Sequence, residues 1–224
     1  MRTPLLLAAS ALVGCGSPSL GDLDTGTVAI TVSGIATQPE VVSLGEPQGG
    51  MGIERAFVSM SSLTLLPCRA DAAEVTLSAR GYDLLNDPPL QELVSTAVTE
   101  LCGLRFDIDP LEQNATEGVP EGASLYVTGT NALGAAFEIA SEQSFSLLFE
   151  VDESAAFGSQ ALLLGFDVSV WLAGVPMDAG YEYLTVEALE ENLRGAVALY
   201  VDSDGNGALD EGEQTPVASA AAAR

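Results

Sequence analysis

The chain has 224 residues, 47% of them hydrophobic, and a net charge of −25 from 32 acids against 7 bases. This length and apolar content fit one domain with a sizeable core rather than a disordered chain. The charge repels nucleic acid and anionic lipid head groups, and its first consequence is solubility. Every base is an arginine and histidine is absent. A Ser-His-Asp or Cys-His unit, a Schiff-base lysine and a histidine-ligated zinc site are therefore excluded. Carboxylate chemistry, or a hard metal held by oxygen, is what remains.

The chain opens with Met1 and Arg2, then an apolar run from Pro4 to Val13. That run has secretory length and is too short to cross ~30 Å of hydrocarbon as a helix. It closes on Leu12-Val13-Gly14-Cys15. The tetrapeptide resembles the lipobox of bacterial lipoproteins: an aliphatic residue, a small or β-branched one, a small one, then Cys. The resemblance implies cleavage before Cys15, a diacylglycerol on its thiol and acylation of the new N-terminus. More than one acyl chain is needed for stable anchoring, because each buried methylene contributes only ~0.8 kcal/mol. The alternative is an ordinary signal peptide followed by a chance cysteine. Residues 1–14 are thus expected to be a signal peptide, and 15–25 a lipidated, flexible tether rich in Gly, Ser and Pro. No later apolar run is long enough for a transmembrane helix.

From residue 26 to about 180, period-two alternation dominates, which marks half-buried strands. Val28, Ile30 and Val32 alternate with Ala29, Thr31 and Ser33. A long Gly/Pro-rich loop, Gly34 to Gly52, leads to a strand from Ile53 to Leu66 with a bulge or break at Ser61-Ser62. Val75, Leu77 and Ala79 suggest the next strand, extended past Gly81 by Tyr82-Asp83-Leu84-Leu85. Asn86-Asp87-Pro88-Pro89 is a turn, and Leu90 to Thr99 fits a short helix or a strand. Leu104, Phe106 and Ile108 form another strand, followed by a polar loop from Pro110 to Gly122. Further strands fit Ser124–Thr130, Ala135–Ala140, Phe145–Val151 and Ala161–Leu172. One helix is expected over Val186–Arg194, with Thr185 as N-cap and Gly195 as C-cap. A strand over Ala196–Val201 leads into an acidic loop, and the alanine-rich tail 218–224 is expected to fray.

These elements predict a mainly β fold. It is an antiparallel β-sandwich of immunoglobulin-like or transthyretin-like type, with one short helix and a C-terminal calcium loop. Gly26-Thr27-Val28, Ile53 to Leu65, Tyr82-Asp83-Leu84-Leu85 and Leu104-Arg105-Phe106-Asp107-Ile108 together resemble a β-sandwich domain of unknown function found in secreted bacterial lipoproteins. That resemblance implies a fold and no activity. Once Cys15 is assigned to lipid, Cys68 and Cys102 remain. In an oxidising compartment they suggest one disulfide, worth ~3–4 kcal/mol in the loop-entropy model. The alternative is two buried thiols.

The strongest chemical signal lies in 181–217. Asp202-Ser203-Asp204-Gly205-Asn206-Gly207-Ala208-Leu209-Asp210-Glu211-Gly212-Glu213 matches the twelve-position EF-hand loop at its diagnostic places. Calcium needs six to eight oxygens drawn from a tight turn. Asp202, Asp204 and Asn206 supply side-chain oxygens, Ala208 its carbonyl, Asp210 a contact through water, and Glu213 two oxygens. Gly207 permits the turn, and Leu209 anchors the loop to the core. Magnesium fits less well, because it prefers a stricter octahedron with retained waters. The flanks are not those of an EF-hand, since a strand enters and Pro216 opposes an exiting helix. The run Leu199-Tyr200-Val201 through Glu213 instead resembles the calcium loops of serine–aspartate-repeat adhesin B domains, and thrombospondin type 3 repeats carry related loops. This implies structural rather than sensory calcium.

Weaker constellations are Asp107 and Asp109 near Glu112, as a carboxylate pair, and Trp171 with Tyr181 and Tyr183, as a sugar-stacking platform. A solvated face and core packing are the simpler explanations. Asn114-Ala115-Thr116 matches a glycosylation sequon of little weight in a bacterial lipoprotein. The expectation is a non-enzymatic lipoprotein, anchored by lipid to the outer membrane and displayed at the cell surface. It would bind an envelope or extracellular protein or glycan and no nucleic acid. The alternative is a carboxylate-dependent hydrolase of polysaccharide.

Overall fold

A computed structural model of the chain describes residues 27–35, 42–44, 51–69, 75–77, 80–95, 100–110, 116–131, 133–151, 161–172 and 182–222. Cys15 and its signal segment, Glu112, Asn114 and Tyr181 lie outside the described residues.

The strands run in chain order as β1 (Thr27–Ile35), β2 (Val42–Leu44), β3 (Met51–Pro67), β4 (Val75–Leu77), β5 (Arg80–Asp83), β6 (Leu90–Ser95) and β7 (Leu101–Ile108). They continue as β8 (Leu125–Thr130), β9 (Ala136–Ser141), β10 (Phe145–Glu150) and β11 (Ala161–Asp167). Helices α1 (Val168–Trp171) and α2 (Glu182–Gly195) come next, and β12 (Val197–Val201), β13 (Ala218–Ser219) and β14 (Ala221–Ala222) complete the order.

Two sheets result, as expected for a mainly β fold. The smaller has the order β13-β12-β11-β1-β6. The larger has the order β14-β10-β7-β3-β8-β9, with β2, β4 and β5 also paired to β3. The pairing is antiparallel except for β1 with β11 and β2 with β3. Alternation along one strand does not encode the direction of its neighbour, so these parallel pairs are invisible in the sequence.

β3 organises the larger sheet. Gly52 to Val58 pairs with β8, and Met60 to Pro67 pairs with β7. Ser59 sits at the change of partner. Its N–H donates to the Ser124 carbonyl at 2.8 Å, and its carbonyl accepts from the Asp109 N–H at 3.3 Å. One of the register shifts along β3 falls between Met60 and Ser62, where the serine pair predicts a bulge. The sulfurs of Cys68, just after β3, and Cys102, at the irregularity between Leu101 and Gly103 of β7, lie 2.08 Å apart.

The core fills the space between the sheets. Val28, Ile30 and Val32 of β1 and Leu162, Leu164 and Phe166 of β11 meet Leu104, Phe106, Leu147 and Phe149 from the larger sheet. Phe166 stands edge-on to Phe106 at 5.4 Å and to Trp171 at 6.2 Å. Such pairs contribute roughly 0.5–1.5 kcal/mol beyond their burial.

Several expected elements differ. The strand predicted over Ala161–Leu172 ends at Asp167, and α1 follows. Asp167 causes the change, because its carboxylate accepts the backbone N–H and hydroxyl of Ser169 and caps a helical turn. The predicted loop 34–52 contains β2, and residues 90–95 of the ambiguous stretch after Pro89 form strand β6. α2 begins at Glu182, so Thr185 lies inside the helix rather than at its cap. The tail expected to fray is paired instead, as β13 and β14. No helix among the described residues is long and apolar enough to cross a membrane.

Candidate metal centre

The acidic loop leaves β12 at one end of the smaller sheet, where the Asp202 N–H donates to the Ala161 carbonyl at 3.0 Å. It then folds back over the outer face of that sheet. Leu209 packs beside Ile35, Leu163 and Tyr200, and Gly207 lies over Thr31 and Pro89. The loop therefore lies over β11 and β1 and reaches the residue that precedes β6. This cover explains why β11 is buried along its whole length rather than on one face.

Gly207 is required twice. Its φ is +74°, a region L side chains rarely adopt, and a Cβ there would stand 3.0 Å from Thr31 Cγ2. Gly205 has φ +69°. These two turns bring ligand-bearing residues together. One carboxylate oxygen each from Asp202, Asp204 and Glu213 lies within 4.8 Å of the others. Asp202 is 2% exposed and Glu213 9%, whereas Asp204 is open to solvent.

Backbone donors hold the carboxylates in place. Asp202 accepts the N–H of Gly207 at 3.0 Å and of Asn206 at 3.1 Å. Glu213 reaches back across the loop to accept the Ser203 N–H and, at 3.5 Å, the Asp210 N–H. Asn206 ties in the outer acids, with Nδ2 donating to Asp204 at 2.9 Å and to Asp210 at 2.7 Å. Its Oδ1 accepts the Ala208 N–H at 2.7 Å.

Of the six predicted ligands, Asp202, Asp204 and Glu213 converge, and Asn206 and Asp210 are linked to them by hydrogen bonds. Ala208 is joined to the set through its N–H.

The electrostatics are those of a cluster that could hold a cation. Burial pushes the Asp202 carboxyl above its ordinary value, against the pull of the Gly207 and Gly205 N–H groups. The charges of Glu213 and Asp204 push it further in the same direction. No arginine among the described residues pairs with these acids; Arg55, Arg80 and Arg105 bridge Asp83, Glu92 and Asp107 instead. A donor set of hard oxygens, without nitrogen or sulfur ligands, suits an alkaline-earth ion better than zinc or copper.

The other sequence candidates have different surroundings. Asp107 accepts from Ser146 at 2.5 Å, Ser62 at 2.7 Å and Arg105 at 3.2 Å. Burial raises its pKa, but the two hydroxyls and the guanidinium outweigh that and hold it below the ordinary carboxylate value. Those three partners make it a tie between β3, β7 and β10. The Asp109 carbonyl accepts the Ser59 hydroxyl. Trp171 is fully buried against Phe166, so it offers no face for stacking a sugar.

Local sequence assigns Thr31, Pro89 and Tyr200 to a strand, a turn and the strand entering the loop, and does not reveal that they support the loop together with Ile35 and Leu163. The signal was present in Ala161-Leu162-Leu163-Leu164-Gly165-Phe166, a nearly continuous apolar run that marks a strand covered on both faces.

Fold and site together define a mostly β, two-sheet protein with an acidic cluster able to hold a metal ion. Comparison with protein-family models, curated proteins and solved structures returned no match.

Proposed function

We propose that the chain is a non-enzymatic lipoprotein of the bacterial outer membrane, stabilised by calcium bound in the loop 202–213. Its role would be structural, adhesive or ligand-binding at the cell surface, with an envelope or extracellular protein or glycan as partner. One observation carries the calcium reading: Asp202, Asp204 and Glu213 bring carboxylate oxygens within 4.8 Å of one another in a loop with no cationic side chain. The twelve-residue spacing supports calcium over magnesium, because it offers seven or so oxygens in flexible geometry. Affinity in the range ~10⁻⁴–10⁻³ M would suffice outside the cell.

The anchoring reading rests on Leu12-Val13-Gly14-Cys15. Metabolic labelling with a fatty-acid analogue tests it. Label should enter the wild-type protein and disappear in Cys15→Ser; an unlabelled, freely secreted wild type would overturn it. Titration with terbium tests the loop. Luminescence sensitised by Tyr200 should rise and then fall when calcium is added in excess. A flat titration would remove calcium from the proposal. A pull-down from calcium-containing envelope extract then looks for the partner.

A further inference from the structure

The segment after the loop does something that its composition does not suggest. Ala218 and Ser219 pair with Leu199 and Ala198 at the edge of the smaller sheet. Two residues on, Ala221 and Ala222 pair with Leu148 and Leu147 at the edge of the larger sheet. The Val217 N–H donates to the Leu199 carbonyl at 2.8 Å, and the Ala220 N–H to the Val197 carbonyl at 3.2 Å. Residues 218–222 therefore close the seam between the two sheets. Alanine suits the corner, since no bulky Cβ substituent obstructs the crossing, but it is a poor strand former and buries little apolar area. Ala218 and Ala220 touch the core, and backbone pairing to β12 and β10 supplies the rest.

The loop tethers the segment from its N-terminal side. Only residues 214–217 separate Glu213 from Ala218. Upstream, Leu209 sits with Ile35, Leu163 and Tyr200, and Gly207 covers Thr31. Thr31 is 1% exposed beneath the loop, with its Cγ2 methyl toward Gly207.

We infer that the loop and the segment 218–222 form a calcium-locked clasp. Occupancy holds the strap across β11 and β1 and thereby closes the seam at β10 and β12. Loss of the ion lets the converging carboxylates repel, loosens the strap and frees the β10 edge. The inference rests on the calcium reading. Coupling of this kind is reciprocal, so disrupting the seam must weaken the ion by the same factor.

Amide hydrogen exchange on the intact protein, in millimolar calcium and in chelator, tests the clasp, with calcium binding measured in parallel by calorimetry. Chelation should speed exchange about tenfold or more in 218–222 and 145–150 while leaving the β3–β8 ladder unchanged. Binding without a change at these amides would overturn the clasp and leave the calcium site standing. Absence of binding would overturn both. Replacing Ala221 and Ala222 by proline removes the strand donors without touching a ligand. Calcium affinity should fall about tenfold; an unchanged affinity would also overturn the clasp.

Discussion

Gly207 and Asp107 are the residues where small changes say most. Gly207→Ala forces a side chain into left-handed backbone and against Thr31. A loss of about 1–3 kcal/mol is expected in chemical denaturation, together with weaker calcium binding. Wild-type stability in that variant would mean that the turn is not held as described. Asp107→Asn breaks the tie to Ser62, Ser146 and Arg105, with an expected loss of about 1–3 kcal/mol at neutral pH. The pH dependence has a definite sign. The folded carboxyl titrates below the ordinary aspartate value. Its stabilisation is therefore full above the ordinary carboxylate range and is lost as pH falls through the lower, folded value. The gap between wild type and variant should close on acidification, which urea unfolding across pH can follow; a gap that widened in acid would contradict this role.

Among the elements, what was legible in the sequence depended on whether the signal was local. Alternation located β1, β7 and β10, and the serine pair marked the β3 bulge. The acidic cluster was readable because its carboxylates lie within twelve residues of chain. What failed was decided by partners distant in sequence. The tail reads as frayed because alanine has no strand preference, yet the open edges of β12 and β10 supply the hydrogen bonds that order it. β11 ends early because Asp167 finds Ser169 two residues on, a capping geometry that alternation conceals. The proximity of Cys68 and Cys102 belongs to this scale as well. Non-reducing peptide mass spectrometry of exported protein should recover the two linked. Their reduction should cost roughly 3–4 kcal/mol, from a loop of 34 residues. Two alkylatable thiols in such material would rule the bridge out.

At the scale of the whole molecule, the chain carries 32 acids against 7 bases, and among the described residues one loop gathers three acids into a cluster that could hold a metal ion. Other acids among the described residues are paired with arginine, as Asp83 is with Arg55 at 3.1 Å, or cap a turn, as Asp167 does. In the loop they converge beside the apolar cluster of Leu163 and Tyr200 and next to the segment that joins the sheets. A cation bound there would act on the whole fold. Thermal unfolding at fixed ionic strength, with and without 10 mM calcium, is the most direct measurement. At ~10–100 times the dissociation constant the ion should add roughly 1.4–2.7 kcal/mol. For a chain of this size that is about 3–10 °C in Tm. The shift should vanish in Asp202→Ala with Glu213→Ala. An unchanged wild-type Tm, or an equal shift in the double variant, would contradict a calcium-stabilised fold.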